Sequence, residues 1–308
     1  MANADANRTG LRYVAETTWG TTPATPTMQA LRFTGESLDH NVNTVKSNEI
    51  RDDRNISDLI AVSMANAGGF NFELSYGTFD DILESVFFNA WNANVLKNGI
   101  TQKSFSIERA HLDINQYFLF PGMVANTFNL DITAEQIVTG SVDFMGKTCA
   151  LAQASAATSV TDATTTTPFN ATTNVGTLKE GGVALSGVYL KSIKLTINNN
   201  LRGKPAISHD GMIEIGVGEC SVSGSIEAYF ANEALWDKYK AGTASALEFT
   251  LTDLATNSYK FELPNLKYSA AKINSSGKNQ DVMASMTFEG LYDSSDKASI
   301  VLTRTPHA

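Results

Sequence analysis

Two segments of the chain, GSVDFMGKT at 140–148 and ASMTFEGLYD at 284–293, share a strand-like alternation and a Phe-x-Gly ending. Upstream, KSFSIERAHLDINQYFLFPGM at 103–123 is matched by ALEFTLTDLATNSYKFELPNL at 246–266. The spacing is steady: Phe105 to Phe249 is 144 residues, Tyr117 to Tyr259 is 142, Pro121 to Pro264 is 143 and Phe144 to Phe288 is 144. Tyr76 to Tyr229 is 153, and the difference falls in the loop NANVLKNGIT, which is longer in the first copy. Alternating strands resemble one another easily, but element order and four landmarks kept in step predict a duplicated unit. Whatever one half folds into, the other has to repeat within 308 residues, and ~150 residues per unit is an ordinary domain size. The segment 140–148 itself reads as an edge-of-sheet strand ending at a glycine.

Each half repeats one order of elements. In the first, LRFTGESL at 31–38 is a strand candidate, followed by the charged loop NEIRDDRNISD at 48–58 and a strand pair ending in FNFELSY at 70–76. In the second, YLKSIKLTI at 189–197 precedes NNNLRGKPAISHDG at 198–211 and IEIGVGECSVSGSIEAY at 213–229. Ile193, Leu195 and Ile197 alternate with Lys194 and Thr196, the period of a half-buried strand. Each half then has one helix. Thr78 is placed to cap FDDILESVFFNAW, with Asp80 and Asp81 in the first turn, where orphan N–H groups favour negative charge. Phe79, Ile82, Leu83, Val86, Phe87 and Ala90 make its apolar face. Asn232 is placed to cap EALWDKYKA, with Leu235, Trp236 and Tyr239 on the buried side and Gly242 as the stop. Residues 149–182 are dominated by Ala, Thr and Ser and read as a long connection, part extended and part mobile.

The expected fold is therefore mainly β: two tandem antiparallel β-sandwich or barrel-like units, each with one flanking α-helix. The first unit with its N-terminal arm spans 1–148, the connection or insertion 149–183, and the second unit with a C-terminal tail 184–308. A helix with one apolar face covers one sheet opening, so other sheet edges are left for a neighbour to pair or cover.

Charge and chemistry narrow the function. The net charge is −9, with 10 basic and 17 acidic side chains in 1–150 against 13 and 15 in 151–308. Nothing forms a basic stripe, which argues against tight nucleic-acid binding through phosphate neutralisation; acidity of this size serves solubility. No apolar run approaches the ~20 residues of a membrane helix, and MANADANRTG has neither the apolar core nor the basic cluster of a secretory signal. A soluble protein is expected, so the Asn-x-Ser/Thr matches at Asn7, Asn55, Asn170 and Asn274 mean little. Cys149 and Cys220 lie outside any CxxC pairing and fit reduced, half-buried residues in a protein assembled in a cytosol. None of His40, His111, His209 and His307 has metal-ligand spacing, and neither a phosphate-binding loop nor a dinucleotide fingerprint occurs. GVGECSVSG at 216–224 lacks the residue order and strand-turn-helix context of a nucleophile elbow. His111 with Asp113, and His209 with Asp210, sit in polar loops or on the polar side of a strand. Asp52 and Asp53 belong to a solvated loop, and paired acids for glycoside cleavage stay formally open because their separation in space is not visible. No catalytic, cofactor-binding or metal-binding residue is expected. A binding or structural role remains, and one form of it is a β-sandwich that decorates a virion or cell surface and binds carbohydrate or protein.

The run AETTWGTTPATPTMQALRFTGESL at 15–38, with NEIRDDRNISD behind it, resembles the opening of major tail tube proteins of long-tailed, siphovirus-type bacteriophages. There a Gly-Thr-Thr-Pro-type lead precedes the first strand and a long charged loop follows. The one-helix β unit at 31–148 and its echo at 188–293 are similar to the tail tube fold. The resemblance implies a structural virion protein that self-assembles in the host bacterial cytoplasm into stacked rings, the tube through which genome DNA is delivered. It implies as partners other copies of the chain and the tape-measure, tail-terminator and distal tail proteins, with double-stranded DNA passing through without specific binding and no membrane involved. Many relatives have one unit per chain and hexameric rings; two units per chain imply a trimeric pseudo-hexamer, with covalent linkage lowering the entropy cost of closure. The resemblance also sets the charged loop against the next ring, which places Lys46, Asn48, Glu49, Arg51, Asp52, Asp53 and Arg54 there, with Arg202, Lys204, His209 and Asp210 as the second copy's version. Excess acid then acquires a role, because a negative lumen repels phosphates.

Overall fold

Strand alternation dominates the structure as it does the sequence: the computed structural model, which describes residues 3–185, 188–231, 234–275 and 277–307, is 54% strand and 6% helix. The first half contains β1 (Thr9–Ala15), β2 (Thr27–Ala30), β3 (Gly35–Glu36), β4 (Asp39–Lys46), β5 (Leu59–Glu73), helix α1 (Asp80–Phe87), β6 (Val95–Lys97), β7 (Ser104–His111), β8 (Gln116–Thr133) and β9 (Thr139–Gly146). Four short strands follow: β10 (Ala150–Ala152), β11 (Ser159–Thr161), β12 (Lys179–Glu180) and β13 (Val183–Ala184). The rest is β14 (Leu190–Asn198), β15 (Arg202–Pro205), β16 (Met212–Gly216), β17 (Ser221–Tyr229), helix α2 (Ala234–Ala241), β18 (Ser245–Thr252), β19 (Ser258–Ser275), β20 (Val282–Gly290) and β21 (Val301–Thr305).

One 18-residue strand organises each half, β8 in the first and β19 in the second. The N-terminal part of β8 pairs with β7 and β10, and its C-terminal part pairs with β9 and β14. A bulge between Ala125 and Thr127 separates the two parts, and bulges are where a strand bends. β19 does the same: its N-terminal part pairs with β18 and β21, its C-terminal part with β20, and a bulge lies between Tyr268 and Ala270. Each half thus has two strand layers that share one bent strand. The inner layers run β4–β5–β9–β8 and β14–β17–β20–β19, and they join through β8–β14 into one eight-strand strip. The outer layers are β2–β1–β7–β8 and β18–β19–β21–β6, in which β6 of the first half reaches the last strand of the chain.

The core lies between the layers. Phe70, Phe72, Phe128 and Phe144 point inward from the strip, and α1 lays Ile82, Leu83, Val86 and Phe87 onto them. The Phe79 ring, just ahead of α1, lies 4.4 Å from that of Phe72. At the β8–β14 junction Phe128 meets Ile197, Leu130 meets Leu195 and Ile132 meets Ile193, all buried, so one apolar cluster runs through both halves. A polar contact links them as well. The fully buried Tyr259 hydroxyl donates to the Asp80 carboxylate and accepts from the Gly77 N–H at 2.9 Å. Arg304 completes Asp80 on its other oxygen and lies over the Trp91 ring at 4.4 Å.

Several local expectations change. The segment 140–148 does not form a sheet edge: β9 is paired on both sides, by β5 and β8. Its alternation supplies Val142 and Phe144 to the core, and the strand does end at a glycine, Gly146, which pairs with Asn66 of β5. LRFTGESL is extended but contributes only Gly35–Glu36 as strand. Thr78 does not cap α1; its hydroxyl bonds to Ser75 and Thr164, and the helix begins after Phe79 without a side-chain cap. Ala90 lies beyond the end of α1, which closes at Phe88 in the left-handed region. The Asn232 cap lies outside the described residues.

Candidate assembly surfaces

The N-terminal lead has a fixed geometry. The Glu16 carboxylate accepts from the Gly20 N–H at 2.8 Å, Ser104 Oγ at 2.8 Å, Ser106 Oγ at 2.7 Å and the Gly122 N–H at 2.8 Å. Trp19 donates its indole N–H to Gly122 O at 2.9 Å, and Lys147 lies over its ring at 4.9 Å. Four donors on one carboxylate hold the Trp-Gly-Thr-Thr-Pro turn against the bend of β8. The lead is a clasp and does not extend away from the first half.

The sheet edges are treated in two different ways. In the outer layers residues 149–183 add strands at three places, which leaves β6 paired with β21 alone among the described residues: β10 pairs with the start of β8, β11 runs parallel beside β2, and β12 pairs with β18. The segment is pinned along its length. Glu108, fully buried, accepts from Ser155 Oγ at 2.8 Å and the Ala156 N–H at 2.7 Å and pairs with Arg12 at 3.3 Å; further on, Phe169 is buried and Asn174 donates to Thr252 O at 2.7 Å. The inner strip has no such cover. Among the described residues β4 bonds to β5 alone, and the C-terminal part of β19 to β20 alone. A row of free backbone N–H and C=O groups is a template for strand addition.

The β4 edge carries side-chain covers. Ser37 donates its N–H to Gly69 O on β5, so the N–H groups of Leu38 and His40 point away from the sheet. Leu38 N–H donates to Glu36 Oε2 at 3.0 Å and His40 N–H to Asp39 Oδ1 at 2.8 Å, while Leu38 O accepts from Arg109 at 3.0 Å. Such local bonds satisfy an edge while no second strand is present.

Two arms leave the strip. β4 and β5 extend past it as a hairpin whose tip holds Lys46, Asn48, Glu49, Arg51, Asp52, Asp53 and Arg54, all exposed. Arg51 forms a two-point pair with Asp53, at 3.0 and 2.9 Å, which holds the Asp53 carboxyl well below the usual carboxylate range. The other arm, between β14 and β17, is the separate ribbon β15–β16 with Arg202, Lys204, His209 and Asp210, also exposed; Lys204 pairs with Glu214 at 2.9 Å. Asp210 O accepts from the Met64 N–H on β5, so the second arm touches the base of the first. Among the described residues no hydrogen bond or ion pair joins the two charged sets. Both arms also carry exposed apolar side chains that the charge pattern hid, notably Ile50 and Ile207, which are 100% and 97% exposed. Their signal in the sequence is an apolar residue inside each polar loop.

The face of the strip opposite the core is polar. It presents Asn129, Asp131, Ser141, Asp143, Thr196, Ser223, Ser225, Glu227, Thr287 and Glu289. Lys194 pairs there with Asp131 at 2.9 Å, and an open depression of about 420 Å3 over the β8–β14 junction is lined by Asn71, Asn129, Ser141 and Thr196 among others. Small hydroxyls and amides of this kind hold water by hydrogen bonding. His111 lies against Thr9 and Phe118, away from this face, and Asp113 accepts the Asp5 N–H. Among the described residues no cluster of His, Cys, Asp or Glu is placed to hold a metal, and no helix is long and apolar enough to cross a membrane.

No curated protein matches the chain significantly. A family model described as phage tail tube protein matches residues 6–290. The chain belongs to that family, and is a structural component of a phage tail tube.

Proposed function

We propose that this chain builds the tube of a long-tailed phage by closing its inner strip into rings with other copies of itself and stacking those rings. One observation carries the reading: the connecting segment adds strands to the outer layers at β8, β2 and β18, whereas among the described residues both ends of the inner strip, β4 and the C-terminal part of β19, are left open. An open strip of matched edges either aggregates or closes, and cyclic closure removes the edges. The same four-strand order on either side of the β8–β14 junction supports two tube units, at 1–148 and 184–308, so that three chains supply six units. Linking units in pairs replaces half of the intermolecular junctions by covalent ones, which lowers the cost of closure.

In this reading the polar face lines the lumen, where Asp131 and Glu227 are balanced by Lys194 and Lys191, and Lys267 stands opposite Glu289, so that no basic stripe is offered to DNA phosphates and the small hydroxyls keep water in place. The arms face the next ring. Arg51, Asp53 and their neighbours, with Ile50 between them, would meet the ring above or below, as would Arg202, Lys204, His209, Asp210 and Ile207. Tape-measure, tail-terminator and distal tail proteins then contact the lumen and the two ends.

Negative-stain electron microscopy of purified protein tests this: hollow filaments are expected, with a ring mass of three chains. Removing residues 48–55 should abolish filaments and leave single rings. Monomers in which that deletion changes nothing would instead favour a decorating protein, and rings of six chains would refute the paired-unit arithmetic.

A further inference from the structure

The two halves can be matched residue by residue at the open edges. Phe144 faces Ala125 on β8 and Gly68 on β5, while Phe288 faces Tyr268 on β19 and Gly224 on β17. In each long strand a bulge follows at the next position. Both glycines are required by the same close approach: a Cβ on Gly68 would lie 2.0 Å from Ser37 O, and one on Gly224 would lie 2.2 Å from Lys194 O. Ser37 therefore corresponds to Lys194 and Leu38 to Leu195, while Leu130 corresponds to Ile273 and Asn129 to Lys272. Inside the chain β8 meets β14 with Leu130 opposite Leu195, Asn129 opposite Thr196 and Phe128 opposite Ile197.

We infer that a second copy of this chain docks its β19 edge antiparallel to the β3–β4 edge in one register, with Leu38 opposite Ile273, Asp39 opposite Lys272 and His40 opposite Ala271. This rests on the ring reading and adds the residues that make the junction. Side-chain chemistry supports it independently of the matching. Leu38 and Ile273 form an apolar pair on the core side, and Ile273 is 38% exposed in the single chain. Asp39 and Lys272 are exposed, opposite in charge and on the other face, and among the described residues neither makes an ion pair. The internal junction carries its own cross-strand ion pair, Lys194–Asp131, on that same face. A slip of one residue would turn every side chain to the wrong face, and a slip of two would set Asp39 against Ala270 or Asn274.

The register also explains the side-chain covers on the β4 edge. In the matched junction Leu38 and His40 direct their N–H groups to carbonyls of the second copy. Those carbonyls replace the Glu36 and Asp39 carboxylates that hold the same groups in the single chain. Asp39 is thereby released toward Lys272. Docking exchanges a local bond for a ladder bond, and the lone chain is protected from indiscriminate strand addition until its own partner arrives.

Disulfide trapping in assembled protein tests the register. Chains carrying Asp39→Cys are mixed with chains carrying Lys272→Cys, assembled and oxidised; antiparallel partners stand ~4.5–5.5 Å apart at Cα, within disulfide reach. Asn43→Cys mixed with Lys272→Cys is the control, about four residues or ~13 Å out of register. Cys220, its thiol pushed up to about 11 by burial, and Cys149, also raised by burial, stay protonated and out of the reaction at neutral pH. The cross-linked dimer should exceed the control at least tenfold, and a chain carrying both changes should give a ladder ending at three. Normal tubes without the 39–272 link, or with the control link prevailing, overturn the register and leave the ring reading standing. A wild-type chain that forms no rings overturns both. Should the cysteine variants fail to fold by circular dichroism, Asp39→Lys should block assembly and Asp39→Lys with Lys272→Asp should restore it; failure of that rescue in folded protein also overturns the register.

Discussion

The two helices occupy corresponding places, each between a strip strand and an outer-layer strand, yet they are held very differently. α1 buries Ile82, Leu83, Val86 and Phe87 completely, and Phe79 and Phe88 at its ends are buried too. α2 offers Trp236 and Tyr239, both only half-buried, with their rings 5.7 Å apart. Among the described side chains α2 also has a polar tie, in which Lys238 reaches the buried Glu180 carboxylate, which also binds Ser245. The same position in a β framework is thus filled once by an aromatic plug and once by a helix whose described side chains are half-buried or exposed and carry an ionic tie. The first half supplies the anchor of the shared core, and the second is freer to adjust its surface.

Truncating one residue from each helix is the strongest attempt to break that contrast. Phe79→Ala removes a fully buried ring from the Phe70–Phe72 stack and should cost about 3–5 kcal/mol, the usual range for Phe to Ala in a core. Trp236→Ala should cost no more than about 1.5 kcal/mol, because a half-buried side chain loses only part of its transfer energy. Urea denaturation of unassembled protein reads both. Since one apolar cluster spans the halves, both variants should shift a single transition. Equal losses, or two transitions, would make the halves independent bodies of similar strength.

Tyr259→Phe addresses the link between the halves. It removes a donor from Asp80 and an acceptor from the Gly77 N–H while leaving the ring among Phe169 and Tyr76. A loss of about 1–3 kcal/mol is expected for buried groups left without a partner, larger than a neutral hydrogen bond because Asp80 is charged. Burial and the Asp80 carboxylate both raise the Tyr259 pKa well above its ordinary value, so its phenol should stay protonated in spectroscopic titration until the protein unfolds. A loss below a few tenths of a kcal/mol would show that apolar contact alone joins the halves.

These long-range ties are what the sequence could not display. Period-two alternation announced β14, where Ile193, Leu195 and Ile197 do point inward, and the helical spacing announced α1. Alternation states which side chains share a face, but not which strand lies alongside. For that reason β9, with its terminal glycine, read as an edge although β5 and β8 flank it. Asp80 looked complete as a first-turn acid, and its partners Tyr259 and Arg304 are 179 and 224 residues away. The charged arms were legible because solvated charge runs are local. The open edges of β4 and β19 were not, since an edge is defined by the lack of a neighbour, which no local pattern encodes.

The smallest expected effect compares one row of the strip across the halves. On β9 the residue beside Phe144 is Asp143, paired with Thr127 and Gly69; on β20 the corresponding residue is Thr287, paired with Ala270 and Ser225. Desolvation alone raises the Asp143 pKa, with no cation to offset it. A carboxyl whose folded pKa lies above its unfolded value opposes folding once ionised in both states, and that cost disappears as pH falls below the unfolded pKa. Asp143→Asn should therefore stabilise the unassembled chain at pH 7, and the advantage should shrink to nothing as pH falls through the acid range. The group is exposed enough for solvent to screen most of the effect, so a few tenths of a kcal/mol is the scale. Thermal melts of both proteins across pH 3 to 7 measure the difference. A variant less stable than the parent at pH 7 would mean that the lone acid in this row of the first half makes a favourable contact that its threonine counterpart lacks.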